Sequence, residues 1–239
     1  MRMIIAALIL LSLVANAAVD QHYEQTLKRD GTSTIVKSME INIFAADLDE
    51  RALEKISDTC NTSQRIRCSV EGQTITIEDD FSPGNYYIFK TEHGLTAIEY
   101  TLTVNKIPTD RFSMLLEELL DEAEVVESTG GSADPLDLLD KEGNAESVYF
   151  LKRFEANITY SVNMPVAITE AGAGGVNATV LGERTVRFDL VDIMEEGQPI
   201  TVKSQEMNVA NIILVVAVIV LGALAYSFFR QKPKKKKKK

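Results

Sequence analysis

The chain has 239 residues, a formal net charge of −10, two histidines, two cysteines and no tryptophan. Residues 18 to 207 carry all 35 acidic residues and 16 of the 25 basic ones, a net −19, whereas the last ten residues carry eight basic ones and no acid. So acidic a central region excludes a nucleic-acid partner and should repel anionic lipid headgroups, as would suit a salty exterior.

In chain order, Arg2 precedes an apolar segment from Ile4 to Val14, which runs into Ala15-Asn16-Ala17. A charged start, a short apolar run and a small-x-small site predict a cleavable signal peptide over residues 1–17. The alternative is an uncleaved first span. No cysteine stands at the cleavage site, so a lipid-modified N-terminus is not expected.

An extracytoplasmic domain is expected over residues 18–207. At about 190 residues, it is long enough for one sizeable core or two small ones. His22 to Lys28 and Ser33 to Ile43 alternate around Arg29-Asp30-Gly31, which predicts a β-hairpin. Asp47, with Glu50 three residues on, forms a capping box for a helix reaching about Thr59, with Leu48, Leu53 and Ile56 on its buried face. Ile66 to Val70 and Thr74 to Glu78 around Glu71-Gly72-Gln73 make a second hairpin. Tyr86 to Thr91 and Leu95 to Val104, joined through His93-Gly94, make a third.

Pro108 and Asp110 open a second helix. Its Phe112, Leu115, Leu116, Leu119, Leu120 and Ala123 recur at helical spacing, while acids fill the other side. The stripe predicts packing against a sheet; a lid or partner-binding helix is the alternative. Residues 128–146 read as an acidic, flexible connection. Asp137, Asp140, Glu142 and Asn144 within it lack the alternating acids of an EF-hand loop, so no calcium site is assigned. Strands are then expected within Val148 to Met164, at Arg184 to Leu190 and at Pro199 to Ser204. Ala171 to Gly175 reads as a loop, lacking the context of a phosphate-binding turn.

Residues 208–229 are expected to be a transmembrane helix. The run from Val209 to Phe229 contains no charge and reaches about 31 Å as a helix, the thickness of a bilayer's hydrocarbon core. It is followed by a Lys-rich tail, 230–239, whose Arg230, Lys232, Lys234, Lys235, Lys236, Lys237, Lys238 and Lys239 mark the cytoplasmic end. The expected topology is single-pass type I, with the bulk of the chain outside. The tail acts as a stop-transfer signal or, alternatively, as a switch for lipids or a partner, at about 1 kcal/mol per lysine near anionic lipid.

Cys60 and Cys68 both fall in the exported region, where an oxidising exterior favours a disulfide across a short loop. The loop-entropy contribution is about 2.5 kcal/mol. Asn61, Asn157 and Asn177 each begin an Asn-x-Ser/Thr sequon, a candidate glycosylation site in a host with an exported glycosylation system.

The opening segment HYEQTLKRDGTSTIV, residues 22–36, carries a resemblance, and so does MPVAITEAGAGGVNATVLGERTVRFDLVDIMEEGQPITVKSQ, residues 164–205. Together they resemble the extracytoplasmic domain of the LppM-type family of mycobacterial lipoproteins and its membrane-anchored bacterial and archaeal relatives. The similarity covers the two ends of the exported region and not its middle. It implies an α+β domain outside a membrane, with a curved sheet, helices on one side and a lipid-related role. This chain departs from the family in lacking the lipid-bearing cysteine and in having Phe188 where a tryptophan is frequent. The resemblance brings no catalytic residues with it.

The fold class expected is α+β: a curved, mainly antiparallel sheet with two helices, plus one C-terminal transmembrane helix. The expected function is that of a membrane-anchored surface or envelope protein with a non-catalytic domain. That domain binds lipid or another apolar ligand in a space roofed by the Phe112 to Ala123 helix. An envelope scaffold recognised by protein partners is the alternative, with Gly222-Ala223-x-Ala225 as a close-approach segment between spans. A hydrolase is the weaker reading. His22 and His93 are the only histidines, no Gly-x-Ser-x-Gly elbow occurs, and no ligand cluster stands out, so neither cofactor nor metal is expected.

Overall fold

A computed structural model of the chain describes residues 20–40, 50–123, 125, 157–196 and 198–230. The signal segment, the Asp47 cap, Leu48, the 128–146 connection with its acids, and the tail beyond Arg230 lie outside the described residues. The chain begins with β1 (Asp20–Leu27) and β2 (Ser33–Glu40), then α1 (Glu50–Thr62), β3 (Arg67–Glu71), β4 (Thr74–Phe81), β5 (Tyr87–His93), β6 (Ala97–Val104) and α2 (Thr109–Glu122). It continues through β7 (Asn157–Asn163), β8 (Ile168–Ala173), β9 (Val176–Asn177), β10 (Thr179–Val180) and β11 (Thr185–Asp189). The last elements are α3 (Leu190–Glu196), β12 (Ile200–Met207) and α4 (Val209–Arg230).

The fold class is α+β with mostly antiparallel strands, but the strands divide into two sheets. One has seven strands in the order β10-β11-β7-β1-β2-β4-β3, the other five in the order β5-β6-β12-β8-β9. The division falls after Phe81. There Ser82-Pro83-Gly84 turns the chain away, and Pro83, which has no N–H, cannot extend a ladder. The third hairpin therefore pairs with the last strand, β12, from Ile200↔Val104 to Met207↔Ala97. In the larger sheet β7 lies parallel to β1, Tyr23 facing Tyr160.

The first hairpin forms where its Asp-Gly turn predicts. The Asp30 carboxylate accepts from the Thr32 amide at 3.0 Å and hydroxyl at 2.7 Å, and Gly31 has φ +86°. A side chain at Gly31 would be strained by that φ and would also place its Cβ 2.8 Å from the Phe89 ring, where the turn meets the smaller sheet. The glycine-rich stretch at 171–175 is not a loop: β8 and β9 pair across it, turning at Gly174, whose φ is +57°. Its Ala and Gly residues carry no polar–apolar alternation, and that disguised a strand there.

The apolar stripe of α2 is buried over Phe112, Leu115, Leu116, Leu119, Leu120 and Ala123. Phe112 meets Tyr23 edge-on at 5.9 Å and lies 6.1 Å from the Phe81 ring. Burying one such ring contributes about 1.5–3 kcal/mol. On α1, Ala52 and Ile56 are buried and Leu53 is partly covered. Sequence reading missed α3. Its start is marked by Asp189, whose carboxylate accepts from the Val191 amide at 2.9 Å. α4 is long and apolar enough to cross a membrane, with a mean hydropathy of 2.7 over Val209–Ser227 and none of that segment buried in the isolated chain.

Candidate functional site

Cys60 and Cys68 form a disulfide, with sulfurs 2.04 Å apart and Cα atoms 5.1 Å apart. It staples the last turn of α1 to β3. Asn61, Asn157 and Asn177 are exposed, as modification would require, but they stand on α1, β7 and β9 and do not come together. Arg230 is the last residue of α4. Among the described residues, no group of three or more His, Cys, Asp or Glu is placed to hold a metal.

Two faces of the seven-stranded sheet carry polar clusters that sequence reasoning passed over. On the inner face, strand register lays Phe188, Tyr160, Tyr23, Lys37, Ile77 and Cys68 in one row across six strands. Lys37 is fully buried, its ammonium 5.4 Å from the Tyr23 ring centroid, within cation–π range. Beside this row a hydrogen-bonded chain runs through the core. The Tyr160 hydroxyl donates to the Gln25 side-chain carbonyl, the Gln25 amide to Ser33 Oγ at 2.9 Å, and Ser33 Oγ to the Tyr87 hydroxyl at 3.1 Å. Tyr87 reaches the Gly31 and Phe81 carbonyls at 2.9 and 3.0 Å. Burial raises the pKa of both phenols above the ordinary tyrosine value, so they stay protonated donors. Closed to solvent, this chain suits the holding of strand register.

The outer face is open and also polar. His22 Nδ1 lies 2.7 Å from Thr159 Oγ1. The Asn163 amide donates to Glu24 and to Thr26 Oγ1, and its carbonyl accepts from the Thr185 hydroxyl at 2.6 Å. Thr34 donates to Asp80 at 2.7 Å, and Arg67 bridges Glu78 at 2.9 Å and Asp80 at 3.0 Å. Toward the start of β1 this face dips into a shallow depression of about 180 Å³ lined by Asp20, His22, Ser38, Glu40, Thr74 and Thr159 among others. Partial burial, helped by the nearby Arg187 guanidinium and opposed by Glu24, holds the His22 pKa below its usual value. The ring is therefore mostly neutral at neutral pH, able to donate one hydrogen bond and accept another. Such a surface can recognise a polar partner through hydrogen bonds. Its legible signal was the run of Thr, Ser and charged residues at alternate positions of β1, β2, β4 and β7.

The apolar stripe expected to roof a ligand is in contact with the sheet, Phe112 and Leu119 being wholly buried.

No known protein family matches the chain. No curated protein matches it either. Among solved structures, it is distantly similar to the NMR structure of the Mycobacterium tuberculosis LppM folded domain, with 9% identity over 80% of this chain and 91% of that one, at a TM-score of 0.32.

Proposed function

We propose that this chain is a single-pass, type I envelope protein whose extracytoplasmic domain acts by binding and not by catalysis. The outer face of the seven-stranded sheet is its recognition surface for another envelope component. The carrying observation is that this face presents hydroxyl, amide, carboxylate and guanidinium groups already ordered by one another, from Thr185 on β11 to Arg67 on β3. Preordered polar groups lose little freedom on binding, which favours specific recognition. The enclosed apolar ligand is the weaker reading, because α2 directs its stripe into contact with Tyr23 and the core. The apolar C-terminal helix, the basic tail and the disulfide together support an outside domain and an inside tail.

A photo-crosslinking residue in place of Val36, at the centre of the outer face, tests the proposal in native membranes. The expected product is a heteromeric adduct, absent when the crosslinker replaces Met114 on α2. Adducts from Met114 alone, or none from Val36, would sink it. Lipid retained by the protein in native mass spectrometry, with no Val36 adduct, would replace it with the apolar-ligand reading.

A further inference from the structure

We propose that the tip of the β5–β6 hairpin is seated in the headgroup–acyl boundary of the protein's own membrane, with Leu95 and Met207 as its anchors. The proposal rests on α4 being a membrane span. One exposed leucine on a protein surface is ordinary; what distinguishes Leu95 is its attachment to that span. Asn208, buried at the junction of β12 and α4, accepts from the Asn211 amide at 3.2 Å and so caps the helix. Its side-chain amide donates to the Gly94 carbonyl at 2.9 Å, and its backbone N–H donates to the Thr96 carbonyl at 2.9 Å. The residue between those two carbonyls is Leu95, 65% exposed, and Met207 beside Asn208 is 73% exposed.

The position of Asn211 sets the depth. It is the one side-chain amide in the run from Val209 to Phe229, and a polar group in hydrocarbon needs a partner. Its side-chain amide lies 3.4 Å from the same Gly94 carbonyl. From Ile212 to Phe229 the helix still reaches about 27 Å, close to a full hydrocarbon core. The turn from Val209 to Asn211 then occupies the headgroup zone, and the hairpin tip bonded to it occupies the same level. Apolar side chains at that level insert about 5–10 Å into the boundary. The domain is thereby held in one orientation against the bilayer instead of swinging on a free tether.

The chain has no tryptophan, so single substitutions give clean reporters in the full-length protein. Leu95→Trp, Met207→Trp, Ile88→Trp and Val218→Trp would be reconstituted in phosphatidylcholine vesicles brominated either near the headgroup end or near the methyl end of the acyl chain. Ile88 lies on the same hairpin five residue pairs above the tip, and Val218 lies mid-span. Leu95→Trp and Met207→Trp should be blue-shifted relative to Ile88→Trp and quenched several-fold more strongly by the shallow bromines than by the deep ones. Val218→Trp should show the opposite depth preference. If Val218→Trp is quenched while both tip reporters emit as Ile88→Trp does, the docked tip is wrong and the span stands. If Val218→Trp escapes quenching, the span fails and the docking with it.

Discussion

The two sheets use the same pleat and the same hairpins for different ends. The seven-stranded sheet turns one face inward onto three helices and buries a lysine, two glutamines and two tyrosines among its apolar residues. The five-stranded sheet continues directly from β12 into α4, with one residue between them. They meet where the Gly31 turn touches Phe89 and where Arg29 reaches Glu206 at 2.7 Å. The larger sheet holds most of the buried polar groups of the core, and the smaller one carries the junction with the apolar C-terminal helix. A core can hold many polar groups if each has a partner, whereas a junction needs few contacts if they fall at the base of a helix.

That division can be broken most sharply at Phe112. Replacing it with alanine removes a wholly buried ring between Tyr23 and Phe81, at a cost of about 3–5 kcal/mol. The thermal transition of the domain should collapse, and a variant melting within a few degrees of the parent would show that the α2 contact is dispensable. Tyr160→Phe is the finer test. It leaves the Gln25 carbonyl without its phenol donor in the core, costing about 1–3 kcal/mol. Denaturant unfolding that is unchanged would mean the buried chain contributes nothing.

Asn208→Ala should cost about 1 kcal/mol as a lost cap, and the loss should be local. Amide exchange at Gly94, whose N–H donates to the Ala97 carbonyl, and at Asn211, whose N–H donates to the Asn208 side chain, should speed up while exchange in β1 and β7 stays protected. Equal loosening in both sheets would contradict their separate roles.

The smallest effect concerns His22. Its folded-state pKa lies below the unfolded value of 6.5, so its contribution is fully present above pH 6.5. As pH falls from 6.5 through the lower folded value, the unfolded chain takes up a proton the folded chain resists, and that contribution is lost. His22→Gln should flatten the decline of melting temperature between neutral pH and pH 5; parallel curves for the two proteins would rule this out.

Much of the local structure was legible because its causes are local. The Asp30-Gly31 turn, the helical spacing of Phe112 to Ala123 and the uncharged run from Val209 are written in short windows of sequence. The glycine-rich 171–175 segment misled because small side chains carry no alternation, and its pairing with β9 rests on Gly174. The outer-face cluster could have been read from the alternation of β7, where Asn157, Thr159 and Asn163 share a side. The inner cluster could not. In β2 both sets of alternate residues mix polar and apolar types, Ser33-Ile35-Lys37-Met39 against Thr34-Val36-Ser38-Glu40, so period two alone does not say which set faces in.

By itself the sequence determined the α+β class, the three hairpins, the buried stripe of α2, and an apolar C-terminal helix able to cross a bilayer, since periodicity, turn chemistry and run length are properties of neighbouring residues. Only the tertiary structure decided that the strands split into two sheets and that β1 pairs in parallel with a strand 137 residues away. It alone turned Lys37 inward and bonded the Gly94 carbonyl to the base of α4. Those outcomes depend on which strands meet and in what register, and that is settled by packing between distant segments.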